Sequence, residues 1–159
     1  MKLQNKQRRV TLSADITVRD IRKEDMNSLA VLYSQFWGEK SDIAKMSEKF
    51  KQLRNDDAYI LLCTEEQGKL TGSVMGIVCE ELYGECEPFL VLENMVVDSN
   101  YRQRGIGRQL FAELEIRAKQ KGCRQIILVT ETNRKDARAF YESLGFHPAD
   151  NKGYKKKIV

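Results

Sequence analysis

Asn100-Tyr101-Arg102-Gln103-Arg104-Gly105-Ile106-Gly107-Arg108-Gln109-Leu110 joins an apolar run, 89–97, to an amphipathic stretch, 105–120. The run before it reads as a buried strand. The stretch after it reads as a helix, with Ile106, Leu110, Leu114 and Ala118 on one face and Gly122 as its stop. A strand-loop-helix corner gathers free backbone N–H groups and the positive end of the helix dipole at one point. Gly105 and Gly107 let an anion approach the backbone, and Arg102, Arg104 and Arg108 add fixed positive charge. These are the parts of a phosphate cradle, and pyrophosphate is its natural guest. A Walker loop is excluded because no Gly-Lys-Ser/Thr triplet occurs. Leu110 occupies the place of the third glycine of a dinucleotide fingerprint. Glycines tolerated for packing at a helix start are the plainer alternative, and three arginines beside them count against it.

Working outward, Ile16 and Val18 alternate with polar neighbours over 15–20, a short strand. Met26, Leu29, Ala30, Tyr33 and Phe36 recur at helical spacing over 24–37, as do Ile43, Met46, Phe50 and Leu53 over 41–54. Apolar strands are expected at 59–64 and 73–79, with turn residues Glu66-Gln67-Gly68 between them. A strand over 125–129, a helix over 137–144 closed by Gly145, and extended chain from Phe146 onward complete the pattern. The order predicts one mixed α/β (α+β) domain over 15–159, preceded by a loose basic arm over 1–14.

The chain has 159 residues, suited to one domain. Its net charge of +4 belongs to the arm, where Lys2, Lys6, Arg8 and Arg9 face no acid; the body is neutral. That balance argues against a nucleic-acid partner, which calls for a basic face on the domain itself. No apolar run is long enough to span a bilayer, and no secretory signal is evident, so a cytoplasmic setting is expected. Cys63, Cys79, Cys86 and Cys123 show neither C-x-x-C spacing nor disulfide density, and His147 is the single histidine, so no metal site is expected.

Arg102-x-x-Gly105-x-Gly107, preceded by Leu92-Glu-Asn-Met-Val-Val-Asp98, resembles the coenzyme A motif of the GNAT superfamily of acetyl-coenzyme A-dependent N-acetyltransferases. Asn133 followed by Ala137-Arg-Ala-Phe-Tyr-Glu-Ser-Leu-Gly-Phe146 resembles that superfamily's second motif. The two stand in the family's order and spacing, and the close resemblance covers 72–146. It implies a central mixed, mostly antiparallel sheet with helices on both faces. Acetyl-coenzyme A is then the acyl donor, its pantetheine arm beside the fourth strand near Met95 and Val97. The pyrophosphate falls on the loop from Gln103 through Arg104, Gly105, Ile106 and Gly107 to Arg108, flanked by Arg102, with Asn133 a further contact.

Glu93 interrupts an apolar strand. Burial there is expected to push its pKa up toward the range useful for a base that takes a proton from an incoming ammonium. The alternative is a structural carboxylate bonded to neighbouring backbone. Tyr141 packs on its helix face with Ala137 and Leu144; the resemblance implies instead that its hydroxyl protonates the departing thiolate. The oxyanion is expected on a backbone N–H of the fourth strand. Asn94 orients an acceptor or bonds to backbone. The resemblance brings the acceptor in beside Phe36, Trp37, Glu39 and Asp42 and the acidic 80–87 loop with Tyr83, where carboxylates and aromatic faces suit a cationic amine.

The reading is transfer of an acetyl group to a primary amine of a small molecule by direct attack. A protein or peptide N-acetyltransferase and a non-catalytic acyl-coenzyme A sensor are its alternatives. A homodimer is compatible with all three.

Overall fold

Gln67 and Gly68 both hold left-handed backbone, with φ of 51° and 77°. This is the geometry of a two-residue hairpin turn, and pairing runs right up to it, with Glu66 opposite Lys69. The computed structural model describes residues 16–148, 151 and 153–158; the arm expected over 1–14 lies outside them. The chain divides into two compact units, Met1–Ile126 and Ile127–Val159.

The first unit holds β1 (Ile16–Asp20), α1 (Met26–Trp37), α2 (Ile43–Leu53), β2 (Tyr59–Glu66), β3 (Lys69–Cys79), β4 (Phe89–Val97) and α3 (Ile106–Gln120). A short β5 (Ile126–Ile127) stands at its boundary. The sheet order is β1-β2-β3-β4-β5, with β1 to β4 antiparallel throughout. The mixed, mostly antiparallel sheet expected from the resemblance is therefore present.

Register assigns the two faces. Ile60, Leu62 and Thr64 of β2 share one face with Gly72, Val74 and Gly76 of β3 and with Leu92 of β4, and α3 lies against that face. Cys63, Ser73 and Val96 share the opposite face. There they join Ile21, Met26, Leu29, Leu32, Phe50 and Leu70 in a core that α1 and α2 close. Leu70 reaches this side because the pairing slips at Thr64/Glu65. One unpaired residue, Thr71, reverses the alternation beyond it. The Thr71 hydroxyl, fully buried, is satisfied by Thr64 Oγ1 at 3.0 Å.

Two glycines set how close α3 comes. A Cβ at Gly76 would lie 2.7 Å from Leu114 Cδ1 and 3.0 Å from Leu90 Cδ1. One at Gly72 would lie 2.9 Å from Thr64 Oγ1 and 3.1 Å from both Ile106 Cγ2 and Leu110 Cδ1. Leu90, Leu110 and Leu114 are wholly buried, so they have no space into which to yield.

The strands of the hairpin extend further than the apolar runs 59–64 and 73–79 suggest. The tight turn lets polar Glu65, Glu66 and Lys69 pair as well. Helix α1 starts at Met26, after a 3-10 turn over Lys23–Asp25. Asp25 shapes that entry. Its carboxylate accepts the Arg22 N–H at 2.6 Å and grips Arg19 at 2.7 and 2.9 Å. Arg19 in turn reaches Glu65 at 2.6 Å, tying β1 and β2 to the start of α1.

In the second unit α4 (Lys135–Glu142) begins earlier than the expected 137–144. The Arg138 N–H already bonds the Arg134 carbonyl, and Gly145, at φ 96°, turns the chain so that Phe146 N–H reaches the Tyr141 carbonyl at 3.2 Å. The strand expected over 125–129 shrinks to Ile126–Ile127, and no strand follows Phe146 among the described residues. Val129 is 61% exposed and Ile158 94%, so these apolar side chains gain nothing from extension.

Gly76→Ala inserts a methyl into filled space and is expected to destabilise the protein by about 1–3 kcal/mol. Urea denaturation of the variant beside the parent chain checks this; an unchanged midpoint would show that α3 can move away from β3.

Candidate active site

The site grows from an irregularity in β4. Ser73 pairs with Val96 and Met75 with Glu93, so Asn94 and Met95 together oppose Val74. Asn94 takes the strain of this bulge in left-handed backbone, φ 52°, a conformation asparagine tolerates better than most residues. Bulges re-aim side chains and recur beside functional sites.

The bulge also bears on Glu93. Its apolar neighbours behave as expected, Leu92 being 4% and Val96 3% exposed. Glu93 itself is exposed. The expected burial is not found. Glu93 pairs with Met75 on the face that α1 and α2 close, yet it lies where that cover leaves it open to solvent.

Beside the bulge lies a cleft of about 270 Å³, lined by Tyr33, Trp37, Glu39, Lys40, Ser41 and Asn94. Trp37 and Asn94, both expected to meet an acceptor, are thus brought together. Tyr83 is not: it is 75% exposed on the loop between β3 and β4 and does not line the cleft. Trp37 ends α1, where Gly38 at φ 73° caps the helix. Its ring packs edge-on to Tyr33 and Phe36, at centroid distances of 5.2 and 4.7 Å.

Tyr33, Lys40 and Ser41 were not singled out by the sequence as site residues. Tyr33 reads as core because it lies on the apolar stripe of α1, and it does both jobs, packing on the core and lining the cleft. Burial pushes its phenol above the ordinary range, and the Ser73 hydroxyl works against that shift. The two hydroxyls interact short of hydrogen-bond geometry, since Ser73 Oγ makes no hydrogen bond among the described residues.

From the bulge, β4 runs through half-buried Met95 and Val97 into the glycine-arginine loop. Asp98, 4% exposed, anchors the junction. Its Oδ1 accepts the Asn100 N–H at 2.9 Å, and its Oδ2 lies 3.3 Å from Gln35 Nε2 and 3.6 Å from Lys69 Nζ. Gln35 Oε1 also accepts the Ser99 N–H at 3.3 Å, so α1 and β3 both hold the loop's entry. Burial alone would raise the Asp98 pKa. The Asn100 N–H, the Gln35 amide and the Lys69 charge outweigh it and hold the carboxyl below its ordinary range.

Left-handed backbone at Gln103, φ 60°, and Gly105, φ 82°, then swings the chain into α3, with Gly105 as its N-cap. The first-turn N–H groups of a helix have no carbonyl one turn back to receive them, and a glycine cap brings no side chain to cover them. The loop suits a diphosphate on these grounds. Arg102 and Arg108 are exposed on either side, with Arg102 Nε donating to the Val97 carbonyl at 3.3 Å. Arg104 is differently placed. It makes a two-pronged pair with Glu66 at 2.9 and 2.5 Å, and its guanidinium lies 5.3 Å from the Tyr101 ring centre. It could face an anion only by giving up that pair.

In the second unit, Asn133 is exposed in the turn before α4, its carbonyl accepting the Lys135 N–H at 3.1 Å. Tyr141 is half-buried, its ring 5.3 Å from Phe140 and 5.8 Å from Phe146. His147 is exposed. Burial pushes the Cys63 thiol up to about 12 and raises Cys123 as well, so both are poor nucleophiles. Among the described residues no group of His, Cys, Asp and Glu is placed to hold a metal ion, and no helix is long and apolar enough to cross a membrane.

Residues 26–146 match the Acetyltransferase (GNAT) family. The chain therefore belongs to that family and is an N-acetyltransferase. It is 23% identical over 135 residues to the aminoglycoside N(6')-acetyltransferase type 1 of Salmonella enteritidis, covering 84% of this chain and 92% of that one. Its fold is similar to that of a putative acetyltransferase from Agrobacterium tumefaciens str. C58, with TM-score 0.83, 22% identity, and 89% and 99% of the two chains covered. It is similar also to AAC(6')-Iy in complex with the bisubstrate analogue CoA-S-monomethyl-acetylneamine, with TM-score 0.75, 21% identity, and 91% and 99% coverage.

A carboxylate held below its ordinary pKa stabilises the fold above the unfolded value and stops doing so as the pH falls through the folded one. Asp98 is thus expected to make the protein acid-labile from about pH 4 downward. Asp98→Asn should flatten that part of the melting-temperature profile and cost about 1–2 kcal/mol at neutral pH. Thermal melts between pH 3 and pH 7 check both; parallel profiles for variant and parent would remove Asp98 from its anchoring role.

Proposed function

We propose that the protein transfers the acetyl group of acetyl-coenzyme A to a primary amine of a small molecule, by direct attack of the amine on the thioester. The observation that carries this reading is the continuity of β4. One strand runs from a bulge opening on an aromatic-lined cleft to a loop whose glycine cap leaves the start of α3 open to a diphosphate. A donor bound along the end of that strand would present its thioester near the bulge, next to the acceptor cleft. At about 270 Å³ the cleft falls just below the ~300–1,000 Å³ usual for drug-sized ligands, which favours a small acceptor. The relationship to an aminoglycoside acetyltransferase is consistent with an amine on a small molecule.

In this reading the N–H groups from Gln103 to Arg108 hold the pyrophosphate, and Arg102 and Arg108 supply charge beside it. Asn133 is a further contact. The β4 backbone at Met95 and Val97 pairs with the pantetheine arm. Trp37 and Asn94 position the acceptor; the role first given to Tyr83 has no support in the cleft lining.

Glu93, one residue before Asn94 and open to solvent, takes the proton that the ammonium must lose, directly or through a water. As the nitrogen–carbon bond forms and the carbon–sulfur bond breaks, the negative charge passes to the thiolate, which takes the Tyr141 proton. The nitrogen sheds its second proton on becoming an amide and so makes good the one that Tyr141 gave. The Tyr141 assignment rests on the resemblance of 137–146 to the family's second motif. With a thiol pKa near 8.5 the leaving group needs little help, so the gain from Tyr141 is expected to be about 10²-fold.

Thiol release from acetyl-coenzyme A over a panel of small amines tests the activity. Glu93→Gln is expected to lower kcat about 10²-fold or more and leave the Kd for acetyl-coenzyme A nearly unchanged. A kcat within a few-fold of the parent enzyme would remove Glu93 from the proton transfer.

A further inference from the structure

We propose that the acceptor carries an anionic group as well as its amine, and that consecutive residues of the α1–α2 loop read the two charges, Glu39 the ammonium and Lys40 the anion. This rests on the small-amine reading of the cleft and narrows it.

The lining of the cleft contains one carboxylate, Glu39, and one ammonium, Lys40, with Ser41 and Asn94 as neutral hydrogen-bonding groups and Trp37 and Tyr33 as aromatic walls. Neither charge is spent elsewhere: among the described residues Glu39 and Lys40 make no salt bridge and no side-chain hydrogen bond. The loop that carries them is fixed at both ends. Gly38 N–H closes α1 onto the Ser34 carbonyl at 3.0 Å, and Asp42 caps α2 by accepting the Lys45 N–H at 3.1 Å. Two opposite charges are thus presented at one cleft by a short, pinned segment, without neutralising each other.

A polycationic acceptor fits this lining poorly. It would need several carboxylates and would meet Lys40 as a like charge. The other acids nearby in sequence do not supply them. Asp42 is committed to its helix cap and lies 3.7 Å from Lys45. The acidic loop before β4 does not line the cleft, and its Glu87 is paired with Arg124. An amine bearing a carboxylate or a phosphate satisfies both charges at once. Its ammonium sits at Glu39 beside the Trp37 ring, where charge and cation–π attraction add. Its anion meets the Lys40 ammonium, a mobile point charge that suits either kind of anion. Acetylation turns the ammonium into a neutral amide, which removes the hold of Glu39 and favours release.

The test compares matched acceptors in the thiol-release assay: glucosamine 6-phosphate against glucosamine, 4-aminobutyrate against butylamine, and spermidine and kanamycin as polycations. At least one anion-bearing member is expected to exceed its anion-free partner tenfold or more in kcat/KM, and the two pairs distinguish phosphate from carboxylate. Lys40→Glu is expected to erase that preference by lowering kcat/KM for the anion-bearing member of the pair. Preference for the polycations, or a preference that survives Lys40→Glu, would overturn the proposal.

Calorimetric binding of the same pairs to protein saturated with coenzyme A separates this inference from the activity. If an anion-bearing amine binds more tightly than its partner but is never acetylated, the transferase assignment fails and the charge reading stands. If amines are acetylated without regard to their anions, the reverse holds. Equal binding, or none, within both pairs would overturn the charge reading whatever the turnover.

Discussion

The contact between α3 and β3 leaves no room for a side chain at Gly72 or Gly76, and the proposed donor site depends on it. Gly72 and Gly76 put bare backbone under Ile106, Leu110 and Leu114. The helix therefore settles at a separation set by van der Waals contact, not by side chains that could adjust. Because the glycine-arginine loop leads into that same helix, its position relative to the end of β4 is fixed through the core. Asp98 then orders the few residues between strand and helix from the other side of the sheet, through Gln35 of α1 and Lys69 of β3. Helix and loop are each held by a different layer of the fold, so neither can drift without breaking buried contacts.

A regular β4 could not serve both substrates. Its alternation would send consecutive side chains to opposite faces along its whole length. The bulge at Asn94 and Met95 interrupts that alternation once, where the strand passes from buried Leu92 to the segment that leads to Val97. The cost is left-handed backbone at a residue with a side chain, of order 1 kcal/mol or somewhat more. It is met by the close antiparallel pairing with β3 on both sides. Placing that strain on asparagine, which tolerates it, also puts an amide at the cleft.

Much of this was legible in the sequence, for a physical reason in each case. Phe89–Val97 is found with the expected ends because a long apolar run between turn signals admits one reading. The strand–helix corner at 102–108 was legible because Gly105 and Gly107 follow an apolar strand and open an amphipathic stretch. What could not be read depended on register. Glu93 looks buried when judged by its neighbours along the chain and proves exposed, because it faces away from Leu92 and α3 toward a part of the sheet that α1 and α2 leave open. Arg104 reads as one more unpaired cation of the loop until the hairpin brings Glu66 across to it, a pairing over 38 residues that no local pattern announces. Helix ends shifted by a residue or two where a cap outside the apolar stripe, such as Asp25 or Gly145, decides the boundary.

The two halves of the site differ in how freely they can change. The residues that shape the donor site are also core residues: replacing Gly76, Asp98 or Val96 disturbs packing or a buried hydrogen bond before it disturbs binding. The acceptor side is built otherwise. Between the Gly38 and Asp42 caps, Glu39 and Lys40 project from a loop whose backbone is held by the helices it joins, and both side chains are exposed. Exchanging them changes the charge of the cleft at little cost to the fold. Donor recognition is thus bound to the architecture, whereas acceptor recognition rests on side chains the fold can spare. The acceptor proposed for this chain is therefore inferred from its own charges at 39 and 40, which the packing of the core does not dictate.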